Sequence, residues 1–282
     1  MPAKSTSWEK SSKWYNDLVG GGGHYFHEHV IIPKSLALLK LKKGDSILEF
    51  GAGQGVLARK LQPGVMYVGI DASTSLINTA KKYNKNPIHH FEVDDVTTTL
   101  KTTKKDFSHA TIILALQNIE FPDKAIANAA RHLKPGGKLL IVLNHPTFRI
   151  PRQSGWGVNP ENKLQYRWVS QYMSALKIPI KMHPGKHSGG LTWSFHQPLS
   201  AYSRYLADSG MAIELIEEWV SDKESEGRMA KSEDRARAEI PLFMAILAVN
   251  GKQLKGTDFL PWSLARYKSV SIKRWSFISF AL

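Results

Sequence analysis

The sequence contains no cysteine. That single absence excludes disulfides, thiolate metal sites and a cysteine nucleophile together. Long apolar runs are missing too: none approaches the roughly 18 residues that a membrane-spanning helix needs. Met1–Lys13 is polar and lacks the apolar stretch of a secretory leader. These absences fit a cytoplasmic protein. Acidic residues are scarce beside basic ones, 24 Asp+Glu against 38 Lys+Arg in 282 residues, for a formal net charge of +14. The surplus is spread along the chain: residues 1–150 hold 20 basic and 12 acidic side chains, residues 151–282 hold 18 and 12. A diffuse excess aids solubility and attracts anions weakly, so it admits a nucleic-acid partner without requiring one.

What is present is a regular alternation of short apolar runs with helical segments. Ser46–Phe50, Val65–Ile70, Ile88–Val93, Ala110–Leu114 and Lys138–Leu143 read as buried strands. Helices are expected from Val56–Leu61, Ser73–Tyr83 (with Ser73 as its cap) and Pro122–Leu133, the last stopping at Lys134-Pro135-Gly136-Gly137. Strands alternating with helices imply right-handed βαβ units and a parallel sheet. After Asn144 the pattern breaks for about fifty residues rich in Pro, Gly, Trp and Tyr, longer than a plain connection. It returns with a helix at Leu199–Ser209 and strands at Met211–Val220 and Pro241–Val249. The expected organisation is an N-terminal helical lid segment (1–45), a core (46–144), a cap or insertion (145–197), the remainder of the core (198–250) and a basic tail (251–282).

The most informative stretch is Glu49-Phe50-Gly51-Ala52-Gly53-Gln54-Gly55. Glycines after a first strand leave bare backbone that a ligand can approach, and the helix beyond points free N–H groups at it. Asp71, at the end of the second strand, is placed to accept two ribose hydroxyls. The ligand is therefore expected to contain adenosine. A dinucleotide site wants a third glycine where Val56 stands, and an acid at the loop edge repels phosphate. Glu49 suits a cationic ligand instead, and S-adenosylmethionine carries an ammonium and a sulfonium.

These motifs resemble the class I S-adenosylmethionine-dependent methyltransferases, in particular the type 11 group. Glu49–Gly55 is similar to the family's first motif and Val68–Ser73 to its second. Phe91–Val96 is similar to the third, Leu114–Ile119 to the strand-four edge, and Leu133–Gly137 to the turn before strand five. The resemblance implies an α/β, Rossmann-like, seven-stranded mostly parallel sheet with helices on both faces. Its last strand would be antiparallel and lie beside strand five, with the insertion following strand five. It implies cofactor contacts from Glu49, Gly51, Ala52, Gly53, Gly55, Asp71, Ala72, Asp94, Asp95, Val96, Leu116 and Gln117. Asp95 is the first choice for the adenine amino group and Asp94 the second. Tyr25 and His29 correspond to the family's aromatic contacts ahead of strand one. Two departures stand out: Ala52 where many members have Cys, and Asp94 where many have Gly.

Methyl transfer needs a base only when the nucleophile must lose a proton. His145 is the candidate base and Arg149 the candidate for an anionic acceptor group, both just past strand five. The glycine run Gly20–Gly23 reads as a hinge, and Trp156, Tyr166, Trp168, Tyr172 and Trp193 as an aromatic lid. His183, His187 and His196 are further base candidates, and no metal is expected. The expected reaction moves a methyl group to an O, N or C nucleophile of a small molecule. An RNA acceptor and a non-catalytic S-adenosylmethionine-binding module are the alternatives; the oligomeric state is not legible.

Overall fold

The computed structural model describes residues 8, 9, 12, 23–102, 104–181 and 191–251. Gly20–Gly22, His183, His187 and residues 252–282 of the basic tail lie outside the described residues.

Five parallel strands carry the molecule: β1 (Ser46–Phe50), β2 (Met66–Asp71), β3 (His89–Val93), β4 (Phe107–Ile113) and β5 (Leu133–Asn144). Four short strands follow, β6 (Ser154–Asn159), β7 (Leu164–Val169), β8 (Leu176–Lys181) and β9 (Leu191–His196), then β10 (Met211–Trp219) and β11 (Phe243–Asn250). The main sheet has the order β10-β11-β5-β4-β1-β2-β3. Only β11 runs against the others, inserted beside β5. This is the expected seven-stranded arrangement. β1 and β4 are buried throughout, as central strands covered on both faces must be.

Helices α1 (Ile32–Leu39), α2 (Thr74–Tyr83), α3 (Pro122–His132), α4 (Leu199–Asp208) and α5 (Ala230–Glu239) accompany the sheet. Ala125, Ile126 and Ala129 of α3 and Tyr202 and Leu206 of α4 bury against Leu48, Phe50 and Ile112 on one face. Ile32 and Leu39 of α1 cover Leu140 and Val142 on the other, where Ile77 and Ala80 of α2 meet Ile47 and Tyr67. Ser73 caps α2, its Oγ accepting the Leu76 N–H at 3.2 Å.

Three local expectations change. Val56–Leu61 forms only a single 3₁₀ turn, Ala58–Lys60, because Leu61 turns extended ahead of Gln62-Pro63-Gly64. Lys134–Gly137 does not precede β5 but lies within it. Pairing with β4 jumps from Phe107↔Leu133 to His109↔Lys138, so the four residues loop out around Gly136 at φ 71°. The stretch after Asn144 is regular: β6 pairs with β7 and β8 with β9, two antiparallel hairpins. Its aromatics serve the hairpins first. A Cβ on Gly155 would lie 2.7 Å from the Trp168 ring, and one on Gly157 2.4 Å from the Tyr166 ring, so the two rings lie flat over the facing strand.

Candidate functional site

A cavity of about 540 Å³ opens at the carboxyl edge of the parallel strands, lined by the loops after β1, β2, β3 and β4. Each loop delivers one kind of group. After β1, Gly51 and Gly53 adopt φ of 72° and 53°, values that side chains resist. The fit at Gly51 is close: an added Cβ would lie 2.3 Å from the Ala115 Cβ, across the cleft between β1 and β4. After β2, Asp71 is held from two sides. Its Oδ2 accepts the Gly53 N–H at 2.9 Å and its Oδ1 the Ser73 N–H at 2.9 Å. Burial pushes this carboxyl up, against the pull of those two donors. Each oxygen keeps a lone pair for a further donor.

After β3 stand Asp94, Asp95, Val96 and Thr97. Asp94 spends both oxygens on the chain, accepting the Asp95 N–H and the Lys101 N–H at 3.0 and 2.7 Å. Asp95 uses one oxygen for the Thr97 N–H and hydroxyl, at 2.9 and 2.7 Å. Its second oxygen accepts no hydrogen bond from the described residues. After β4, Leu114 takes the left-handed φ of 51° and its carbonyl accepts Gln117 Nε2 at 2.9 Å. The other end of that amide, Oε1, is buried and has no partner among the described residues.

The cavity thus collects Gly51, Gly53, Asp71, Ala72, Asp94, Asp95, Val96 and Gln117 from the residues expected to touch the cofactor. Gly55, Ala52 and Leu116 support the loops from behind: a Cβ on Gly55 would strike the Phe91 ring at 2.9 Å, and Ala52 and Leu116 are buried. Glu49 is placed otherwise. Strand alternation turns it toward Ile47's side of the sheet, where it accepts the Tyr67 hydroxyl. Burial pushes its carboxyl up to about 8, so near neutral pH it is mostly uncharged. The expectation of a Glu49 countercharge is corrected: Asp71, Asp94, Asp95 and Glu120 supply the negative groups of the lining.

Four expected positions on the β5 side, Tyr25, His29, His145 and Arg149, do not line this cavity. Tyr25 and His29 stack on each other with centroids 4.3 Å apart, and His29 Nδ1 lies 4.0 Å from Asp222. His145 is 4% exposed; its Nε2 meets Glu218 Oε1 at 2.7 Å and its Nδ1 accepts the Thr147 N–H at 3.2 Å. With Nδ1 accepting, Nε2 carries the proton and no lone pair is left for a substrate. Burial lowers its basicity despite Glu218. The base expected at His145 is therefore a strut between β5 and β10. Arg149 packs its guanidinium 5.3 Å from the Phe243 ring centroid. His196, another base candidate, gives Nε2 to the Tyr172 carbonyl at 2.7 Å.

Sequence reasoning missed Trp8, Leu76, Glu120 and Phe121, all in the lining, while Asn144, the start of the segment expected on the substrate side, is in it. Trp8 is positioned by its neighbour: Glu9 Oε2 accepts the Ser73 hydroxyl at 2.6 Å and the Ser75 N–H at 3.2 Å, at the head of α2. The one available signal was a tryptophan in an otherwise polar stretch. Lys177 of β8 meets Glu120 at 2.6 Å, fastening the β8–β9 hairpin to the cavity rim. Among the described residues no three metal-ligating side chains gather, and no helix is long and apolar enough to cross a membrane.

The sheet order, the glycine loop and the paired acids after β2 and β3 define the class of S-adenosylmethionine-dependent methyltransferases. Residues 24–178, more than half of the chain, match the family model described as a methyltransferase domain, and the chain belongs to that family. A ubiquinone/menaquinone biosynthesis C-methyltransferase from Francisella tularensis is 33% identical over 134 residues, 45% of this chain and 52% of that protein. A ubiquinone biosynthesis O-methyltransferase from Coxiella burnetii is 27% identical over 169 residues, 58% of this chain and 71% of that one. The chain thus spans about half the length of the first of these relatives. An S-adenosylmethionine-dependent methyltransferase structure from Mesorhizobium loti shares the fold, with a TM-score of 0.60, 22% identity, and coverage of 77% of this chain and 96% of that one.

Proposed function

We propose that this chain binds S-adenosylmethionine in the cavity and transfers its methyl group to an O, N or C nucleophile of a small molecule. The observation that carries this is Asp71, fixed by two backbone N–H groups beside the bare backbone of Gly51 and Gly53. In this reading Asp71 accepts the ribose hydroxyls and the spare oxygen of Asp95 takes the adenine amino group. The unpartnered Gln117 Oε1 accepts from the ammonium of the methionine part. A bound sulfonium supplies an already activated methyl group, so the chain's own task is to bind, align and exclude water. No described base is needed for a nucleophile that is already deprotonated, which agrees with the engagement of both His145 nitrogens. The core would comprise residues 46–144 and 198–250, with 145–197 as a cap joined at Lys177 and Glu120. The small-molecule class is supported by the names of both relatives, which act in quinone biosynthesis.

Calorimetric titration with S-adenosylmethionine tests the reading. The wild-type chain is expected to bind, and Asp71→Ala to bind at least about 10-fold more weakly, since a hydrogen bond to a charged acceptor contributes about 1.5–3 kcal/mol. Equal affinity of the two proteins, with Asp71→Ala folded, overturns it.

A further inference from the structure

Beyond the cofactor cavity, the carboxyl end of β5 and the amino end of β11 beside it gather basic side chains. Arg149 is partly buried against Phe243, and Phe243 is the register partner of Asn144, a cavity-lining residue. From the other side come His24 and His27, introduced by Gly23, where a Cβ would lie 3.3 Å from Val56 at the end of the glycine loop. Lys223 stands over the Tyr25 and Phe26 rings at 4.4 and 5.2 Å. Burial, then Lys223 and Arg149, lowers His24, and burial holds His27 down to about 4.

Most charged neighbours are already committed. Arg167 donates Nε to the Phe148 carbonyl at 2.6 Å and a terminal nitrogen to Ser154 Oγ at 3.0 Å. Glu218 is taken by His145, and Asp222 faces Tyr25 and His29. Glu224 also acts on Tyr25. Arg149 is different. Among the described residues its guanidinium has no hydrogen bond and no carboxylate partner, and a second cation, Arg167, acts on it. A stacked ring satisfies a face of the guanidinium but none of its five N–H donors. His27 Nδ1 is likewise buried without a partner. Withdrawing a cation from water with no counter-charge is costly, and an incoming anion would relieve that cost.

We infer that the methyl acceptor carries a carboxylate, held by the forked donors of Arg149 with His24 and His27 beside it. This rests on the methyl-transfer reading above and names the substrate class for it. A planar monoanion matches one uncommitted guanidinium, which grips carboxylates bidentately. A phosphate would call for more free positive charge than Arg149 alone supplies. Phe26, only partly buried and in edge contact at 5.5 Å with the core ring of Phe243, leaves an aromatic surface beside Arg149, so an aryl carboxylate fits.

Benzoate, benzamide and phenyl phosphate are the probes, titrated by ligand-observed NMR against the full chain with and without S-adenosylhomocysteine. Benzoate is expected to bind at least about tenfold more tightly than neutral benzamide, as a charge-assisted bidentate pair gives. Arg149→Met should bring benzoate to the benzamide level, and Arg149→Lys should keep part of the difference. Arg204→Met, an exposed cation on α4, should leave it unchanged. Melting curves establish that each variant is folded, and Arg149→Lys serves if Arg149→Met is not. Equal binding of benzoate and benzamide, tighter binding of phenyl phosphate, or benzoate binding indifferent to both Arg149 variants overturns the inference. S-adenosylmethionine titrated alone separates the two claims. If it binds while benzoate shows no preference, only the carboxylate inference falls. If it fails to bind, the methyl-transfer reading falls, and the benzoate comparison on the free chain still decides the anion site.

Discussion

The two halves of the sheet's carboxyl edge are built on different principles. Around β1, β2 and β4 the main chain makes the site: N–H groups of Gly53 and Ser73 fix Asp71, and the Leu114 carbonyl fixes Gln117. Around β5, β10 and β11 the side chains hold one another: His145 with Glu218, Tyr25 with His29, Arg149 against Phe243. The first half tolerates little change in backbone but offers its ligand a prepared surface. The second half spends most of its polar groups internally, and only a few donors stay uncommitted.

The largest effect should come from breaking the first half at its backbone. Gly51→Ala forces a Cβ into Ala115 at a left-handed φ. It is expected to weaken S-adenosylmethionine binding by at least about 100-fold and to lower stability by roughly 1–3 kcal/mol, read by calorimetry and denaturant melts. Near-normal binding would show that the loop is softer than its geometry implies.

That half was also the legible one. Glycine spacing and an acid at the end of β2 report on backbone shape directly, so Gly51, Gly53 and Asp71 could be placed from sequence. Glu49 was misread because a charged letter beside the loop says nothing of which sheet face it takes; alternation with Ile47 sent it to Tyr67. The β6–β9 hairpins were hidden because Gly155 and Gly157 break the usual strand pattern while making room for Trp168 and Tyr166. His145 looked like a base because its partner, Glu218, is 73 residues away.

The second half is broken at His145. His145→Ala leaves the Thr147 N–H and the Glu218 carboxylate without their partner and should cost about 1–3 kcal/mol of stability. The shape of any pH–rate profile should stay as in the wild type; loss of one limb would restore His145 as a base.

A smaller effect probes the buried interior of the first half. Glu49, pushed up by burial to about 8 in the fold from its ordinary value of 4.5, favours the native state when protonated. Its contribution is complete below pH 4.5 and fades as pH rises toward 8, because ionisation of the buried group is then increasingly resisted. Glu49→Gln should therefore raise the melting temperature by a few degrees at pH 8 and change it little at pH 5, as differential scanning at both values would reveal. The smallest effect is expected at the rim. Lys177→Ala removes a part-exposed ion pair with Glu120 and should cost less than about 1 kcal/mol in a denaturant melt.

The cavity draws its lining from four crossover loops spread between Gly51 and Phe121, with Trp8 and Asn144 beyond them, so no short piece of chain contains it. Occupancy is consequently linked to global unfolding rather than to local fraying. A compound at about 100 times its dissociation constant should stabilise the whole domain by about 2.7 kcal/mol. Thermal denaturation then becomes an assay in itself, able to rank acceptor candidates before any product has been seen.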